Sequence, residues 1–469
     1  MANSGKIAVK EINPGDRNSG DLYKKREHIY QRHISGFFQT LRIATIWVTL
    51  GAYFILPWFT WDGRQGILFD LPERKFYILW FTFWPQDFLY LSWLLIIAAF
   101  ALFFFTVLAG RVWCGYTCPQ TVWTTFFMWI EFITEGDRSQ RIKLDAQPWS
   151  VSKGIKKFSK HFLWLALSFW TAFTFVGYFA PVRELWSDIY HFNASAWAWF
   201  WLFFFTIATY TNAGWLREQV CLYMCPYARF QSVMFDRDTL VVTYDKQRGE
   251  PRGSRKKDAD FKAEGLGSCI NCQMCVQVCP TGIDIRNGLQ YECIGCAACI
   301  DACDHIMDQM NYPRGLIRYS TESIMEGKPY NILRPRLIGY GVMLMAMCLL
   351  FLYVLLSRVP LQVDIIRDRS ALYRETFEGN IENTYTLKIM NKTQDHQEYT
   401  VTASGLDDAI AHIPESIRAL PGELVNLPVT LEIAPDKLKQ RNTTVYFTVV
   451  AKSDPAQEVT EESRFLGPH

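Results

Sequence analysis

The stretch CINCQMCVQVCPTGIDIRNGLQYECIGCAACIDAC, residues 269–303, carries eight cysteines in two copies of one spacing. The first copy is Cys269-x2-Cys272-x2-Cys275-x3-Cys279-Pro280, and the second is Cys293-x2-Cys296-x2-Cys299-x3-Cys303. This is the run by which bacterial ferredoxins hold a [4Fe–4S] cluster, so two copies predict two clusters. Such clusters in turn predict one-electron transfer as the chemistry of this part of the chain.

The ligand assignment follows from how two such runs fold together in two-cluster ferredoxins. Three cysteines of one run wrap a cluster, and the fourth ligates the other cluster. The competing interpretation, a zinc ribbon, predicts two Cys-x2-Cys pairs rather than two four-cysteine runs. The second run ends in Cys303-Asp304 instead of Cys-Pro, which predicts a different reduction potential for the nearby cluster. The predicted ligands are Cys269, Cys272, Cys275 and Cys303 for the first cluster, and Cys293, Cys296, Cys299 and Cys279 for the second.

Composition predicts that this ferredoxin-like segment belongs to a membrane protein. Half of the 469 residues are hydrophobic, yet the mean hydropathy is zero, as expected for apolar blocks that alternate with polar ones. The formal charge of +2 gives no overall argument for nucleic-acid binding. Five stretches approach the length of about 20 apolar residues that crosses a bilayer. They are residues 41–58, 88–108, 162–179, 196–213 and 337–356.

Basic residues beside these stretches predict their orientation. The N-terminal arm (Lys24, Lys25, Arg26), the loop after residue 133 and the basic segment 246–262 would all face the cytoplasm by the positive-inside rule. The iron–sulfur segment would then be cytoplasmic, and five spans would send the C-terminal tail to the periplasm. A further apolar stretch, Thr121–Ile133, is short and contains Glu131, so we interpret it as a re-entrant or interfacial helix.

The tail after the last span is predicted to be all-β. Residues 384–390, 398–403, 424–433 and 444–451 are rich in Val, Thr, Tyr and Ile, and turn sequences such as Pro421-Gly422 separate them. The tail also contains no cysteine and has more acidic than basic residues. We therefore predict a small immunoglobulin-like β-sandwich.

Two further cysteine pairs share the pattern Cys-x3-Cys-Pro. They are Cys114 with Cys118, and Cys221 with Cys225, and each follows an apolar stretch. Proline after the second cysteine disfavours helical backbone at that cysteine, so each pair should lie on a turn that starts a new segment. Their repetition predicts two hairpins whose four thiols meet at the cytoplasmic face of the membrane.

Three interpretations of these four thiols stay open. Soft thiolates suit Cu(I), with Met224 as an additional thioether ligand. A third iron–sulfur cluster or a structural metal is the second interpretation, and a redox-active dithiol or structural pair is the third. The thirteenth cysteine, Cys348, is expected to be a packing residue in the last span. None of the eight histidines lies well inside a span, so membrane-bound haem is not expected, and neither a nucleotide-binding glycine motif nor a P-loop is present.

The order of these features resembles the FixG/CcoG/RdxA family, the accessory proteins for assembly of cbb-type cytochrome c oxidase in the inner membrane of Gram-negative bacteria. The resemblance covers essentially the whole chain and depends on the two Cys-x3-Cys-Pro pairs, the dicluster segment and the sandwich together. It implies that the protein reduces Cu(II) to Cu(I) for the oxidase, as a cupric reductase. Its implied partners are the oxidase assembly machinery, a copper chaperone or copper-exporting ATPase, and an unknown electron donor. A homo-oligomer is also considered.

The predicted fold class is a multidomain membrane protein: an α-helical transmembrane bundle, a cytoplasmic dicluster ferredoxin-like domain and a C-terminal immunoglobulin-like sandwich. Two other functions are considered, a quinol-linked electron-transfer subunit that feeds a periplasmic reductase, and a redox-sensing assembly scaffold. The predicted domains are an N-terminal arm (1–40), a membrane domain with four spans (41–216), the iron–sulfur domain (217–336), a fifth transmembrane helix (337–357) and the periplasmic sandwich (358–469).

Overall fold

A computed structural model describes residues 28–468 except 62, 258–262, 264, 358–359, 394 and 439. Lys24, Lys25 and Arg26 of the predicted N-terminal arm and the end of the basic segment 246–262 lie outside the described residues. The α-helices are α1 Phe37–Ile55, α2 Phe88–Ala109, α3 Val112–Tyr116, α4 Pro119–Glu135, α5 Arg138–Ala146, α6 Val151–Val176, α7 Val182–Tyr190, α8 Ala196–Thr209, α9 Pro226–Met234, α10 Lys246–Gly249, α11 Met274–Gln277, α12 Ala298–Gln309, α13 Glu322–Met325 and α14 Pro335–Leu356.

The strands are β1 Thr60–Trp61, β2 Arg64–Gln65, β3 Ile67–Asp70, β4 Lys75–Ile78, β5 Phe81–Phe83, β6 Val241–Tyr244, β7 Ile317–Ser320, β8 Leu361–Arg367, β9 Arg374–Glu375, β10 Ile381–Asn391, β11 Gln397–Ser404, β12 Ile410–His412, β13 Ile417–Ala419, β14 Leu424–Ile433, β15 Asn442–Ala451 and β16 Glu458–Leu466. Two π-helical stretches, Tyr210–Leu216 and Val220–Met224, follow α8. These elements divide into two compact units, one formed by residues up to Thr60 with Leu91–Leu349, and one by Trp61–Tyr90 with Leu350–His469.

Three helices of the described residues are long and apolar enough to cross a membrane: Phe37–Trp58, Phe88–Ala109 and Pro335–Leu356. The prediction of five spans is therefore not confirmed. Residues 162–179 and 196–213 are largely helical, but α6 begins with a lysine-rich half and α8 has only 14 residues before the backbone turns π-helical. Cys348 on α14 is exposed rather than packed in a protein core, contrary to expectation.

Helices α1, α4, α6 and α8 pack together in the first unit. The hydroxyl of Tyr53 near the end of α1 donates to the carbonyl of Thr171 near the end of α6, at 2.8 Å. Beside them, the Trp123 indole of α4 donates to the Thr171 hydroxyl at 3.1 Å. Phe175 of α6 and Phe205 of α8 stack with ring centroids 4.3 Å apart. Helix α6 therefore contacts each of α1, α4 and α8 through its C-terminal half.

The cysteine-rich part of the first unit packs its helices on a two-stranded antiparallel sheet. Strands β6 and β7 pair with Val241 opposite Ser320 and Tyr244 opposite Ile317. Between these strands in sequence, α11 lies within the first cysteine run and α12 begins within the second. The shared core consists of Val242, Tyr244, Ile285, Ile300, Met307, Leu316 and Ile317, together with Cys269 and Cys275. The two runs are therefore held against one apolar core although residues 280–292 separate them in sequence.

The second unit is a two-sheet β-sandwich, as the alternating pattern of the tail predicts. One sheet has the order β12-β14-β10-β8 with β9 at the edge of β10, and the other has the order β13-β11-β15-β16. Inward residues at every second position, including Tyr385, Leu387, Tyr399, Val429 and Phe447, form its core. The four predicted strands coincide with β10, β11, β14 and β15 to within three residues.

The loop between α1 and α2 belongs to this second unit. Its strands β3, β4 and β5 form a three-stranded antiparallel meander. Lys392, which follows β10, pairs with Asp87 at 3.1 Å, and both side chains are buried. A buried ion pair of this kind costs several kcal/mol when one partner is removed. The loop and the sandwich thus share an interior contact that sequence patterns did not predict.

Candidate iron–sulfur and thiol site

The two cysteine runs adopt the same backbone conformation around their second cysteine. In the first run Asn271 and Gln273 flank that cysteine with φ of 55° and 58°, and in the second Gly295 and Ala297 do so with φ of 68° and 60°. Left-handed backbone is unfavourable for residues other than glycine. Its recurrence at matched positions indicates that both loops must curl in the same way around a group of the same shape. A helix, α11 or α12, starts directly after each loop.

Cys303 of the second run lies with the first run. It lines a small cavity together with Cys269, Cys272 and Cys275. Burial raises the pKa of the Cys303 thiol, and the neighbouring Cys275 and Cys269 raise it further. Helix α12 is responsible for this placement, because it carries Cys303 from the second loop back to the first.

Cys279 of the first run lies, correspondingly, with the second run. Burial raises the pKa of the Cys293 thiol to about 12, a hydrogen bond from the Gly295 backbone opposes this, and the charges of Cys279 and Cys296 add to it. Burial likewise raises the pKa of the Cys299 thiol, with Cys296, Cys293 and Cys279 as its strongest charged neighbours. The structure therefore brings together the same two crossed sets of four thiols that the spacing predicts.

These two sets fit iron–sulfur clusters better than they fit single metal ions. Among the described residues, no three His, Cys, Asp or Glu side chains stand close enough together to share one metal ion. A [4Fe–4S] cluster does not require that, because its four thiolates bind four different iron atoms. Four thiols around a cavity, as in the first set, suit such a cluster. Binding iron would also release the protons of these buried thiols.

The Cys-x3-Cys-Pro pairs lie at the turns that the proline predicts. Cys118 precedes α4 with φ −58° and ψ 126°, and Cys225 precedes α9 with φ −82° and ψ 110°. Both angles are extended rather than helical. Each pair therefore ends one short helical segment and starts the next, so that its two cysteines lie on either side of a turn.

The four thiols of these two pairs are neighbours. Burial raises the pKa of the Cys114 thiol to about 12; nearby Cys118 and Cys221 raise it too, and Arg111 lowers it. Burial raises the pKa of the Cys221 thiol to about 11, with Cys118 and Cys225 as the next causes. A thiol that takes part in disulfide exchange normally has a lowered pKa. The raised pKa values of Cys114 and Cys221 therefore do not favour a dithiol activated for disulfide exchange.

Gln231 and Met224 lie at the four-thiol site, which is formed by Cys114, Cys118, Cys221 and Cys225. The Cys114 thiol donates to the Gln231 side-chain oxygen at 3.4 Å, and Gln231 is fully buried on α9. Met224, the predicted thioether ligand, lies on the π-helical turn between Cys221 and Cys225 with 62% of its surface exposed. A small, partly open cavity reaches Cys221 and is also lined by Gln120, Glu218 and Arg217.

Arg111 joins the four-thiol site to the second cysteine set. Its guanidinium donates to the carbonyl of Tyr291 and, at 3.1 Å, to that of Cys293 in the second run. It also donates at 2.8 Å to the carbonyl of Ala228 on α9, directly after the second Cys-x3-Cys-Pro pair. One buried cation thereby holds three segments together, and charged hydrogen bonds are the strong ones. Sequence reasoning missed Arg111, although a lone arginine between an apolar stretch and a cysteine motif is a usable signal.

Two glycines allow the closest approach between the same segments. A Cβ atom on Gly115 would lie 2.9 Å from the carbonyl oxygen of Gly295 and 3.0 Å from the Cα of Cys296. Gly295 has φ +68°, and a Cβ atom there would lie 3.2 Å from the carbonyl oxygen of Arg111. The first Cys-x3-Cys-Pro pair therefore contacts the second cysteine loop backbone to backbone. Cys114 packs against the core around Cys296 as a result.

A buried ion network around Glu131 of α4 contacts the segment that leads to Cys221. Glu131 of α4 pairs with Arg217 at 2.6 Å, with Arg141 at 3.1 Å and with Lys160 at 3.8 Å. Burial opposes the ionisation of Glu131, but the charge and hydrogen bond of Arg217, together with the charges of Lys160 and Arg141, outweigh it and hold the pKa of that carboxyl below its ordinary value. Arg217 has φ +46° and separates the two π-helical stretches, four residues before Cys221. π-Helical turns often mark functional sites.

Family models match three parts of the chain. A 4Fe-4S dicluster domain matches residues 216–322, and a 4Fe-4S binding domain matches residues 91–134. The IG-like fold at the C-terminal of FixG matches residues 351–468. The predictions of iron–sulfur clusters and of an immunoglobulin-like tail are thereby confirmed.

The chain is also similar over most of its length to curated proteins. It is 36% identical to the nitrogen fixation protein FixG of Rhizobium meliloti, over 93% of this chain and 89% of that protein. It is 37% identical to protein RdxB of Cereibacter sphaeroides, over 94% of this chain and 93% of that protein. A crystal structure of a FixG-related protein from Vibrio parahaemolyticus is 40% identical and covers 24% of this chain and 98% of that chain, with a TM-score of 0.21. The chain therefore belongs to the FixG/RdxA/RdxB family of membrane iron–sulfur electron-transfer proteins.

Proposed function

We propose that this protein is a cupric reductase that acts in the assembly of cbb-type cytochrome c oxidase. Its substrate is Cu(II), held by Cys114, Cys118, Cys221 and Cys225. One electron from an external one-electron carrier converts one Cu(II) ion to Cu(I), and the carrier is oxidised by one electron. The observation that carries the proposal is the direct contact of the first thiol pair with the second cysteine set, through Gly115 and Arg111.

The three groups of cysteines form a series from the protein surface to the four-thiol site. Cys272 of the first set is exposed, whereas Cys296 of the second set is buried and packs near Cys114. The proposed cluster ligands are the two crossed sets described above, and the bound clusters supply one-electron transfer. The chain's own part is to hold the three groups adjacent and to keep water away from the middle one.

The chemistry of the four-thiol site favours copper as the ion that is reduced. Thiolates are soft ligands that prefer Cu(I) over Cu(II), so they stabilise the reduced product. The cavity beside Cys221, with Gln120 and Glu218 in its wall, gives a small ion access. Three of the four cysteines lie outside regular α-helix: Cys221 on the π-helical turn Val220–Met224, and Cys118 and Cys225 on extended backbone.

A specific observation also favours a second candidate for this site, a third iron–sulfur cluster. The 4Fe-4S binding domain that matches residues 91–134 contains Cys114 and Cys118. Four neighbouring thiols that do not converge on one point also suit a cluster. The two candidates differ in metal content, because a third cluster raises the iron count from about eight to about twelve per chain.

We further propose five spans, with the N-terminus and the cysteine sets in the cytoplasm and the sandwich in the periplasm of a bacterial inner membrane. The C-terminal half of α6 is hydrogen-bonded to the end of the transmembrane candidate α1 through Thr171 and Tyr53, which supports a crossing by α6. Helix α8 packs along α6 through Phe175 and Phe205, which supports a return crossing. The loop between α1 and α2 shares a compact unit with the sandwich, which supports the proposal that both lie on one side of the membrane.

The partners that we propose are those that the family resemblance implies. Cu(I) leaves for a copper chaperone or a copper-exporting ATPase, and then reaches the oxidase assembly machinery. A quinol-linked subunit for a periplasmic reductase, or a redox-sensing scaffold, are alternative functions. Quinol-dependent reduction in the absence of copper would favour the first, and oxidase binding that persists without clusters would favour the second.

The test uses anaerobically purified full-length protein and the double variant Cys114→Ser, Cys221→Ser. In the dithionite-driven assay the protein is first reduced with dithionite, and the excess, which reduces Cu(II) by itself, is removed by anaerobic gel filtration before Cu(II) is added. The unaltered protein should then reduce Cu(II), and the double variant should lose this activity while keeping the visible absorption of two clusters. Cys348→Ser is the matched control, because Cys348 is exposed on α14 and belongs to none of the sets. Unchanged copper reduction in the double variant would refute the copper assignment. A loss of about four iron atoms per chain would instead favour a third cluster.

A further inference from the structure

The first cysteine set is the one that reaches the protein surface. Asn271, Cys272 and Gln273 are all exposed, at the tip of the first cysteine loop. The second set has no such tip, since Gly295, Cys296 and Ala297 at the equivalent positions are buried. An electron donor that approaches from solution therefore comes closest to the cysteine sets at Cys272.

A strongly basic segment runs beside this exposed tip. Residues 246–257 contain six basic residues and one acidic residue. The backbone of this segment is hydrogen-bonded to the residues that lead into the first cysteine run. The amides of Gly267 and Ser268 donate to the carbonyls of Pro251 and Arg248, both at 2.8 Å, and the amide of Gly253 donates to the carbonyl of Cys269 at 3.2 Å. The basic segment and the loop are therefore parts of one local structure.

Part of the positive charge anchors this segment, and part of it faces solvent. Arg248 donates to the carbonyls of Pro313 and Arg314, and Arg255 donates to the Tyr312 hydroxyl at 3.1 Å. By contrast, the side chains of Lys246, Lys256 and Lys257 are exposed. A fixed backbone with exposed lysines presents a positive surface that is defined in space. Such a surface attracts a negatively charged partner and orients it as it approaches.

We propose that the segment Lys246–Lys257 is the docking surface for a small, acidic one-electron carrier protein of the flavodoxin or ferredoxin type. This inference rests on the proposed function, which needs an electron donor from outside the chain. Docking would bring the acidic surface around the carrier's redox centre to the tip at Cys272. One electron leaves the carrier for each Cu(II) ion reduced to Cu(I), and no covalent bond forms.

The position of the segment distinguishes a protein carrier from the other partner that basic residues attract, an anionic lipid surface. A lipid-binding segment has no need to lie at a redox centre, whereas this segment is bonded to the Cys269 carbonyl itself. The exposed cysteine tip would also have to face lipid rather than solvent if the lysines bound a membrane. The geometry therefore favours the carrier.

The experiment measures binding and electron transfer separately on the full-length protein in detergent. The probe is a purified acidic bacterial flavodoxin, and the variant is Lys256→Glu, Lys257→Glu. The matched control is Lys143→Glu, Lys156→Glu, which changes the charge equally at exposed positions of α5 and α6. At low salt we expect the first variant to weaken flavodoxin binding about tenfold and the control to leave it unchanged. Flavodoxin-driven copper reduction should fall in parallel.

Dithionite-driven copper reduction separates this inference from the proposed function, since a small reductant needs no docking. It should be the same in the unaltered protein and in both variants. If the unaltered protein reduces no copper with dithionite, the proposed function fails, whatever the flavodoxin binding. If both variants bind flavodoxin equally, or the unaltered protein does not bind it, the docking surface is refuted. The lipid interpretation would be supported if only binding to vesicles of anionic phospholipid fell in the first variant.

Discussion

Gly115→Ala tests the contact that the proposed function depends on most. The substitution adds a single methyl group where the first Cys-x3-Cys-Pro pair meets the second cysteine loop. That methyl carbon would lie 2.9 Å from the Gly295 carbonyl oxygen and 3.0 Å from the Cys296 Cα. Both neighbours are backbone atoms and neither can rotate away, so the two segments must separate.

The size of the effect follows from these distances. Nonbonded atoms are most stable about 3.5 Å apart or more, so a separation of about 0.5 Å is required. Overpacking of this kind costs about 1–3 kcal/mol of stability. A displacement of about 1 Å can slow a reaction about 100-fold, so we expect copper reduction to slow about tenfold for half that displacement.

The measurement pairs thermal unfolding in detergent with dithionite-driven Cu(II) reduction. Gly154→Ala is the matched control, because Gly154 also lies in a helix, α6, and a Cβ atom there meets nothing within 4 Å. Alanine favours both helices by about 0.5–1 kcal/mol relative to glycine, so this gain cancels in the comparison. The control should be as stable as the unaltered protein or slightly more stable, with an unchanged reduction rate.

Both variants should keep the visible absorption of the clusters, because no cysteine changes. Equal stability and equal reduction rates in Gly115→Ala and Gly154→Ala would refute the reasoning, since the backbone contact would then have no consequence. Loss of cluster absorption in Gly115→Ala alone would mean that the contact holds the second cysteine loop in shape rather than setting its distance from the thiols.

Three further predictions address other parts of the molecule. Cys303→Ser should impair the first cluster and Cys279→Ser the second, which electron paramagnetic resonance of the reduced protein would distinguish; the reverse pattern would contradict the crossed sets. Glu131→Ala should destabilise the first unit by about 3–5 kcal/mol in thermal unfolding, because it leaves the paired cations buried without their partner. The pKa of Glu131 is lowered in the folded protein, so its carboxylate stabilises the fold above pH 4.5, and this stabilisation is lost as the pH falls below that value. The Glu131→Ala variant should not show this pH-dependent loss of stability. Phe447→Ala should cost the sandwich about 3–5 kcal/mol while iron content stays unchanged, and a loss of iron would contradict the division into two units.

Several features were predictable because their signal is local. The strands of the tail alternate inward and outward residues with a period of two, so β10, β11, β14 and β15 can be located from the pattern. The extended backbone at Cys118 and Cys225 follows from the proline after each of them. Apolar length alone also identifies α2 and α14 as membrane helices.

The remaining features depend on residues far apart in the chain. The count of five spans is not reproduced, because the hydropathy of residues 162–179 and 196–213 does not reveal that α6 starts in a lysine-rich half or that the helix after Thr209 widens to a π-helix. Arg111 carries no motif, and its role depends on carbonyls that lie more than 100 residues away. The pairing of Lys392 with Asp87 spans 305 residues and has no counterpart in local sequence.

The sequence by itself determined the chemistry of this protein, because the spacing of cysteines dictates which thiols one loop can direct at one cluster. It also determined the all-β tail and the short turns at the two Cys-x3-Cys-Pro pairs, which depend only on neighbouring residues. The tertiary structure alone decided how the three groups of thiols are arranged. The Gly115–Gly295 contact, the Arg111 hydrogen bonds and the exposure of Cys272 place them in a series from the surface to the four-thiol site. Packing between distant segments sets such distances, and no local pattern encodes them.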